Sequence, residues 1–134
     1  MKLIDANIII RYLANDDKKQ TKGCRTLFAR LQSGQEHVEL TLPVLFEVIY
    51  VLNRIYKISR IEIYKAISII LDLKTINIQG KSVLKKSIEY WSARNIDLTD
   101  CYLAALLENC KEPEIYSFDK DFDKLNFLTR IEPN

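Results

Sequence analysis

The sequence predicts an α/β fold, a mostly parallel sheet covered by helices on both faces. Three observations predict it. Short apolar segments ("KLI", "HVELTL", "TINI", "EIYSF") alternate with longer stretches whose apolar residues recur at helical spacing. Three Gly and three Pro in 134 residues are too few for an all-β domain built on tight turns. No linker, repeat or low-complexity stretch divides the chain, so one domain over residues 1–134 is expected. Strands separated by helices imply right-handed crossovers and a parallel sheet. In such sheets ligands sit outside the carboxyl ends of the strands.

The elements follow in order. Lys2 to Ile4 is a strand ending at Asp5, and a short helix runs on through Tyr12 and Leu13 to stop near "ANDD". A second helix covers Lys19 to Gln32, with Leu27, Phe28 and Leu31 inward, and stops at "SG". "HVELTL" is a strand, and Pro43 suits the first turn of the helix "VLFEVIYVLNRIY". "SRIE", Ser59 to Glu62, is a capping box opening a helix with Ile63, Ala66, Ile67, Ile70 and Leu71 on one face. "TINI" is a strand, and a helix runs from about Lys81 to Ala93. "NIDLTD" turns into the helix "CYLAALLENC". The strand "EIYSF", the turn and short helix "DKDFDKL" and a last strand "RIE" complete the chain.

Composition narrows the function classes. Hydrophobic residues make up 48% and charged residues 28%, values of a globular chain able to bury roughly two thirds of its unfolded surface. No apolar run approaches the roughly 18 residues of a membrane span, and no signal peptide is visible. Cys24, Cys101 and Cys110 are odd in number and lack CxxC spacing, which argues against a disulfide framework or a zinc site. They read as small buried hydrophobes in a reducing, cytoplasmic compartment. The single His37 and the lack of GxSxG argue against a Ser-His-Asp or Cys-His hydrolase. Net charge is only +2, but Lys18, Lys19, Lys22, Arg25 and Arg30 form one basic group and Lys81, Lys85 and Lys86 another. Solvated helix faces explain each group alone; a basic rim around an acidic centre suits a polyanion.

The acids carry the functional reading. Asp5 interrupts the apolar opening "MKLIDANIII" at the carboxyl end of the first strand. Taken out of water it needs a partner; the competing reading is a helix cap. Glu47 is the only charge from Leu42 to Leu52, in a helix apolar nearly all round, and so is expected to be buried rather than on an exposed stripe. Asp97 and Asp100 stand i and i+3 at a helix start, where the dipole favours acids. Asp97 reads as a cap. Asp100, beside Cys101 and Leu103, reads equally as cap or site. Asp119 follows a strand, with Asp121 and Asp123 in the same turn; Phe118 and Phe122 are expected to pack together and fix it. Each of these three acids taken singly could be a solvated loop residue. Together, Asp5, Asp100 and Asp119 fall on one edge of a parallel sheet, within reach of Glu47. Like charges about 4 Å apart repel by roughly 4 kcal/mol at an effective dielectric of 20. A divalent cation is the natural compensation, and all-oxygen ligation indicates Mg²⁺ or Mn²⁺. Such an ion suits phosphodiester chemistry, where it activates a water and stabilises developing charge.

Four segments, "LIDANIIIRYL", "LPVLFEVIYVL", "NIDLTDCYLAAL" and "IYSFDKDFDKL", together resemble a PIN domain, and specifically the VapC-type toxin ribonucleases, from Leu3 to about Leu125. The resemblance implies a three-layer α/β/α sandwich, a Mg²⁺- or Mn²⁺-dependent endoribonuclease, a homodimer and a VapB-type antitoxin partner. By motif position, Asp5, Glu47, Asp100 and Asp119 look like its acidic quartet, and Asp121 is similar to a fifth acid that some members use. Ala6 stands where the family commonly has Ser or Thr, leaving Asn7 for part of that role. Ser117 keeps the hydroxyl before the late aspartate. Arg11, Lys22 and Arg25 are candidates for holding RNA. Two other readings stay open: a phosphate-signalling, receiver-like Mg²⁺ module, which would want paired acids that "IDAN" lacks, and a catalytically weak PIN-like scaffold, kept alive by Ala6.

Overall fold

In the computed structural model, which describes residues 1–15 and 18–134, six α-helices alternate with four short strands among the described residues. The chain divides into two compact units, Met1–Lys81 and Ser82–Asn134. All strand pairings are parallel, as the alternation predicts.

In the first unit the opening segment contributes a single parallel bridge, Leu3 to Glu39. Ile4 N–H donates to Glu39 O at 3.1 Å, and Glu39 N–H to Lys2 O at 2.7 Å. Helix α1 (Ala6–Ala14) ends at Asn15, whose left-handed backbone (φ 57°) lets its N–H reach Arg11 O. The expected stop thus falls on Asn15; Asp16 and Asp17 lie outside the described residues. Helix α2 (Lys18–Gln32) buries Phe28, which stacks on Tyr12 of α1 with ring centroids 3.9 Å apart.

Strand β1 (Val38–Glu39) pairs with β2 (Ile76–Asn77). Val38 and Ile76 face the core, while Asn77 Nδ2 donates to the Glu39 carboxylate on the other face. A one-residue slip would exchange those faces, so the pattern sets the register. Between the strands run α3 (Leu42–Tyr50), with Pro43 in its first turn, and α4 (Arg60–Asp72). Ser59 Oγ accepts from Glu62 N–H at 3.3 Å, as the capping box requires, and α4 buries Ile63, Ile67, Ile70 and Leu71. The expected long helix after Pro43 changes character midway. Val51–Ile55 is π-helical, and Asn53 Nδ2 donates to Ile58 O at its end. The wider turn buries Leu52 and leaves Ile55 outside.

In the second unit, α5 (Lys81–Ala93), whose first residue closes the first unit, buries Leu84, Ile88, Tyr90 and Trp91. Helix α6 (Leu98–Leu107) starts earlier than "CYLAALLENC", because Asp97 occupies its N-cap position, and it stops before Glu108, its C-cap residue. The Tyr90 hydroxyl donates to Glu108, tying α5 to the end of α6. Strands β3 (Glu114–Tyr116) and β4 (Thr129–Ile131) flank a 3-10 helix, Lys120–Lys124. Phe122, Leu125 and Leu128 are buried beneath that segment. Phe118 is exposed and does not share the core with Phe122, because it lies in a bend before the 3-10 helix that carries Phe122, so the two are not on one helix face. Cys24 and Cys101 are buried free thiols, and burial raises the pKa of Cys24. Cys110 is exposed, contrary to expectation, since it lies past the end of α6. No helix among the described residues is long and apolar enough to cross a membrane.

Candidate metal centre

The first unit carries Asp5 and Glu47. Asp5 sits between buried Ile4 and buried Ala6, yet is itself exposed. It occupies the N-cap position of α1 with extended backbone (φ −90°, ψ 158°), and its Oδ1 accepts from Ala6 N–H at 2.8 Å. The expected removal from water does not occur, because the chain turns outward at the cap. Asn7 is exposed in the first turn. Glu47 is exposed as well. α3 buries one stripe, Leu45, Val48 and Ile49, and Glu47 lies off it. The long apolar run obscured that stripe, since a helix interior is sided however apolar its sequence.

The basic candidates line two hollows of the same unit. Arg11 joins Asn7, Gln20, Cys24 and Leu27 around a groove of about 380 Å³. Lys22 and Arg25 join Asn15 and Thr21 around another of about 390 Å³, where Arg25 Nη2 donates to Asn15 Oδ1 at 3.0 Å.

The second unit gathers its acids. Asp97 holds the N-cap position of α6 without a side-chain cap bond, and Asp100 lies half-buried in the first turn. Burial, then the charges of Asp119 and Asp97, hydrogen bonding with Asp119 and the charge of Asp121 hold the Asp100 carboxyl above its ordinary pKa. Asp119 caps the 3-10 helix, its Oδ1 accepting from Asp121 N–H at 2.9 Å. Ser117 Oγ accepts from Asp119 N–H at 2.9 Å, so the hydroxyl orients the turn. Asp121 pairs with Lys124 at 2.9 Å, and Asp123 with Arg130 at 3.0 Å.

Asp100 and Asp119 therefore come within hydrogen-bonding reach of each other. Two carboxylates at that range either share a proton or accept a cation between them, and their hard oxygens match Mg²⁺ or Mn²⁺. Among the described residues, no three His, Cys, Asp or Glu side chains are grouped closely enough to hold a metal ion as they stand.

Residues 2–128 match the PIN domain family. The chain belongs to that family. It is also similar to a VapC ribonuclease of Aquifex aeolicus (strain VF5), 27% identical over 129 residues that cover 96% of this chain and 95% of that protein. The PIN match runs through both compact units. Two basic residues of this PIN chain, Lys124 and Arg130, escaped the sequence reading although they grip the acidic turn. The i, i+3 spacing of Asp121 and Lys124 in "DKDFDKL" was the available signal for the first.

Proposed function

We propose that this protein is a Mg²⁺- or Mn²⁺-dependent endoribonuclease, the toxin of a VapBC-type pair, and that its two units work as one PIN domain over residues 1–134. The observation that carries this reading is the close pairing of Asp100 with Asp119 in a PIN-family chain. The full-length likeness to a VapC ribonuclease supports the substrate class.

Asp5 and Asp100 are the principal metal-holding acids in this reading, with Glu47 and Asp119 completing the set. The bound cation supplies Lewis acidity for water activation and for the charge that develops on the phosphodiester. The residues do the placing. Asp5 is set by its bond from Ala6 N–H, and Asp119 by Ser117 and by Asp121 N–H. Asn7 offers a polar group beside buried Ala6. Arg11, Lys22 and Arg25 offer cations to the RNA backbone. The proposed partners are RNA, a VapB-type antitoxin and a second copy of the chain, in the cytoplasm.

Incubating total RNA with the protein in Mg²⁺, in Mn²⁺ and in EDTA tests the reading. Cleavage is expected with either metal and is lost in EDTA. Cleavage that EDTA leaves untouched overturns the metal assignment, and no cleavage under any condition overturns the activity.

A further inference from the structure

One lysine connects the two acidic segments of the second unit. Lys124 Nζ lies 2.9 Å from Asp121 Oδ1 and donates to Asn95 O at 3.1 Å. Asn95 stands just before Asp97 at the entrance to α6, whose first turn holds Asp100. Asp121 N–H donates to Asp119 Oδ1. A single ammonium thus spans from the turn that carries Asp119 to the loop that delivers Asp100. Arg130 holds the opposite side of the turn. Its Nη1 donates to Ser117 O at 3.0 Å, while Nε and Nη2 engage Asp123 at 3.0 and 3.3 Å.

An i, i+3 ion pair this exposed stabilises little by itself. The bond that matters is the one to Asn95, 29 residues away along the chain. It closes a loop across two acids that repel each other, and without such a tie the repulsion favours their separation. Three ammonium donors around one nitrogen suit a bridge between a carbonyl and a carboxylate.

We propose that Lys124 is a positioning residue that sets Asp100 against Asp119 by bridging Asn95 and Asp121, and that it engages Asp121 as a strut rather than leaving it as a metal ligand. The inference rests on the metal-dependent reading above and adds to it a residue and a role for the fifth acid. Its sign separates it from simple electrostatics. A cation beside an acidic site lowers the site's affinity for metal, so deleting a merely nearby lysine strengthens metal binding. Deleting a positioning lysine weakens it.

Mn²⁺ binding followed by electron paramagnetic resonance, together with RNA cleavage in Mn²⁺, provides the test on the full chain as wild type, Lys124→Met and Lys124→Arg. The site chain of Lys124 is 46% exposed, so neither substitution opens the core. Lys124→Met is expected to bind Mn²⁺ about 10–100-fold more weakly than wild type, the usual cost of losing a residue that orients metal ligands. Lys124→Arg, which keeps the charge and the donors, is expected to recover most of the affinity. If Lys124→Met binds Mn²⁺ as tightly as wild type or more tightly, or if Lys124→Arg is as weak as Lys124→Met, the positioning role is wrong while the wild-type arm still supports the nuclease reading. A wild type that neither binds Mn²⁺ nor cleaves RNA overturns both.

Discussion

Asp5 and Asp100 stand at the starts of α1 and α6, and the two helices treat them differently. Asp5 is exposed at the N-cap and spends an oxygen on Ala6 N–H. Asp100 is half-buried one turn inside its helix, its pKa raised by burial and by neighbouring acids. A helix start welcomes an acid in either position through unpaired N–H groups and the macrodipole. The comparison teaches that local preference explains the residue type at both sites. At Asp100 it leaves an electrostatic cost that calls for a further partner.

The contrast depends on the Asp119 turn staying in place, and the largest expected effect tests that. Phe122 is 2% exposed beneath the turn, whereas Phe118 is 69% exposed. Phe122→Ala is expected to cost about 3–5 kcal/mol in denaturant unfolding. Phe118→Ala is expected to fall within about 0.5 kcal/mol of wild type. Equal costs would show that both rings anchor the turn and that Asp119 is held otherwise than described.

The next effect asks whether the contrast reaches function. Asp100→Asn and Asp5→Asn are each expected to lose at least ~2.7 kcal/mol of barrier lowering, about a hundredfold in RNA cleavage rate, with circular dichroism unchanged. Asparagine caps a helix about as well as aspartate. Asp5→Asn with wild-type activity would therefore reduce Asp5 to a cap and confine the chemistry to the acids of the second unit.

The smallest effect is a slope against pH. A carboxyl whose folded pKa is raised binds its proton more tightly in the folded state than in the unfolded one, so stability falls as pH rises through the window between the two values. For Asp100 that window opens near the ordinary aspartate value of about 3.9 and extends upward. In EDTA, Asp100→Asn is expected to gain stability relative to wild type as pH rises through it. Thermal midpoints across that range, with and without Mg²⁺, measure it; an Asp100→Asn protein that loses ground against wild type as pH rises would show that the Asp100 carboxyl is not held above its ordinary value in the fold.

Much of the architecture was legible because it rests on local chemistry. Ser59 with Glu62 marked the start of α4, and Pro43 that of α3, through backbone groups each residue can or cannot satisfy. The turn chemistry around Asp119 was harder to read. The pairing of Phe118 with Phe122 assumed one helix through both, and the helix starts only after Asp119, leaving Phe118 in the bend before it.

The sequence by itself determined the α/β class and the starts of α3 and α4, since periodicity and caps are properties of neighbours along the chain. Tertiary structure alone decided which of the candidate acids meet water. The outward facing of Glu47 depends on which stripe of α3 the core claims, and the contact of Asp100 with Asp119 depends on bringing together segments far apart along the chain. The bridge from Lys124 to Asn95 is of the same kind. A hydrogen bond to a distant carbonyl has no signature in local sequence, because any backbone oxygen can accept it once the fold has placed it there.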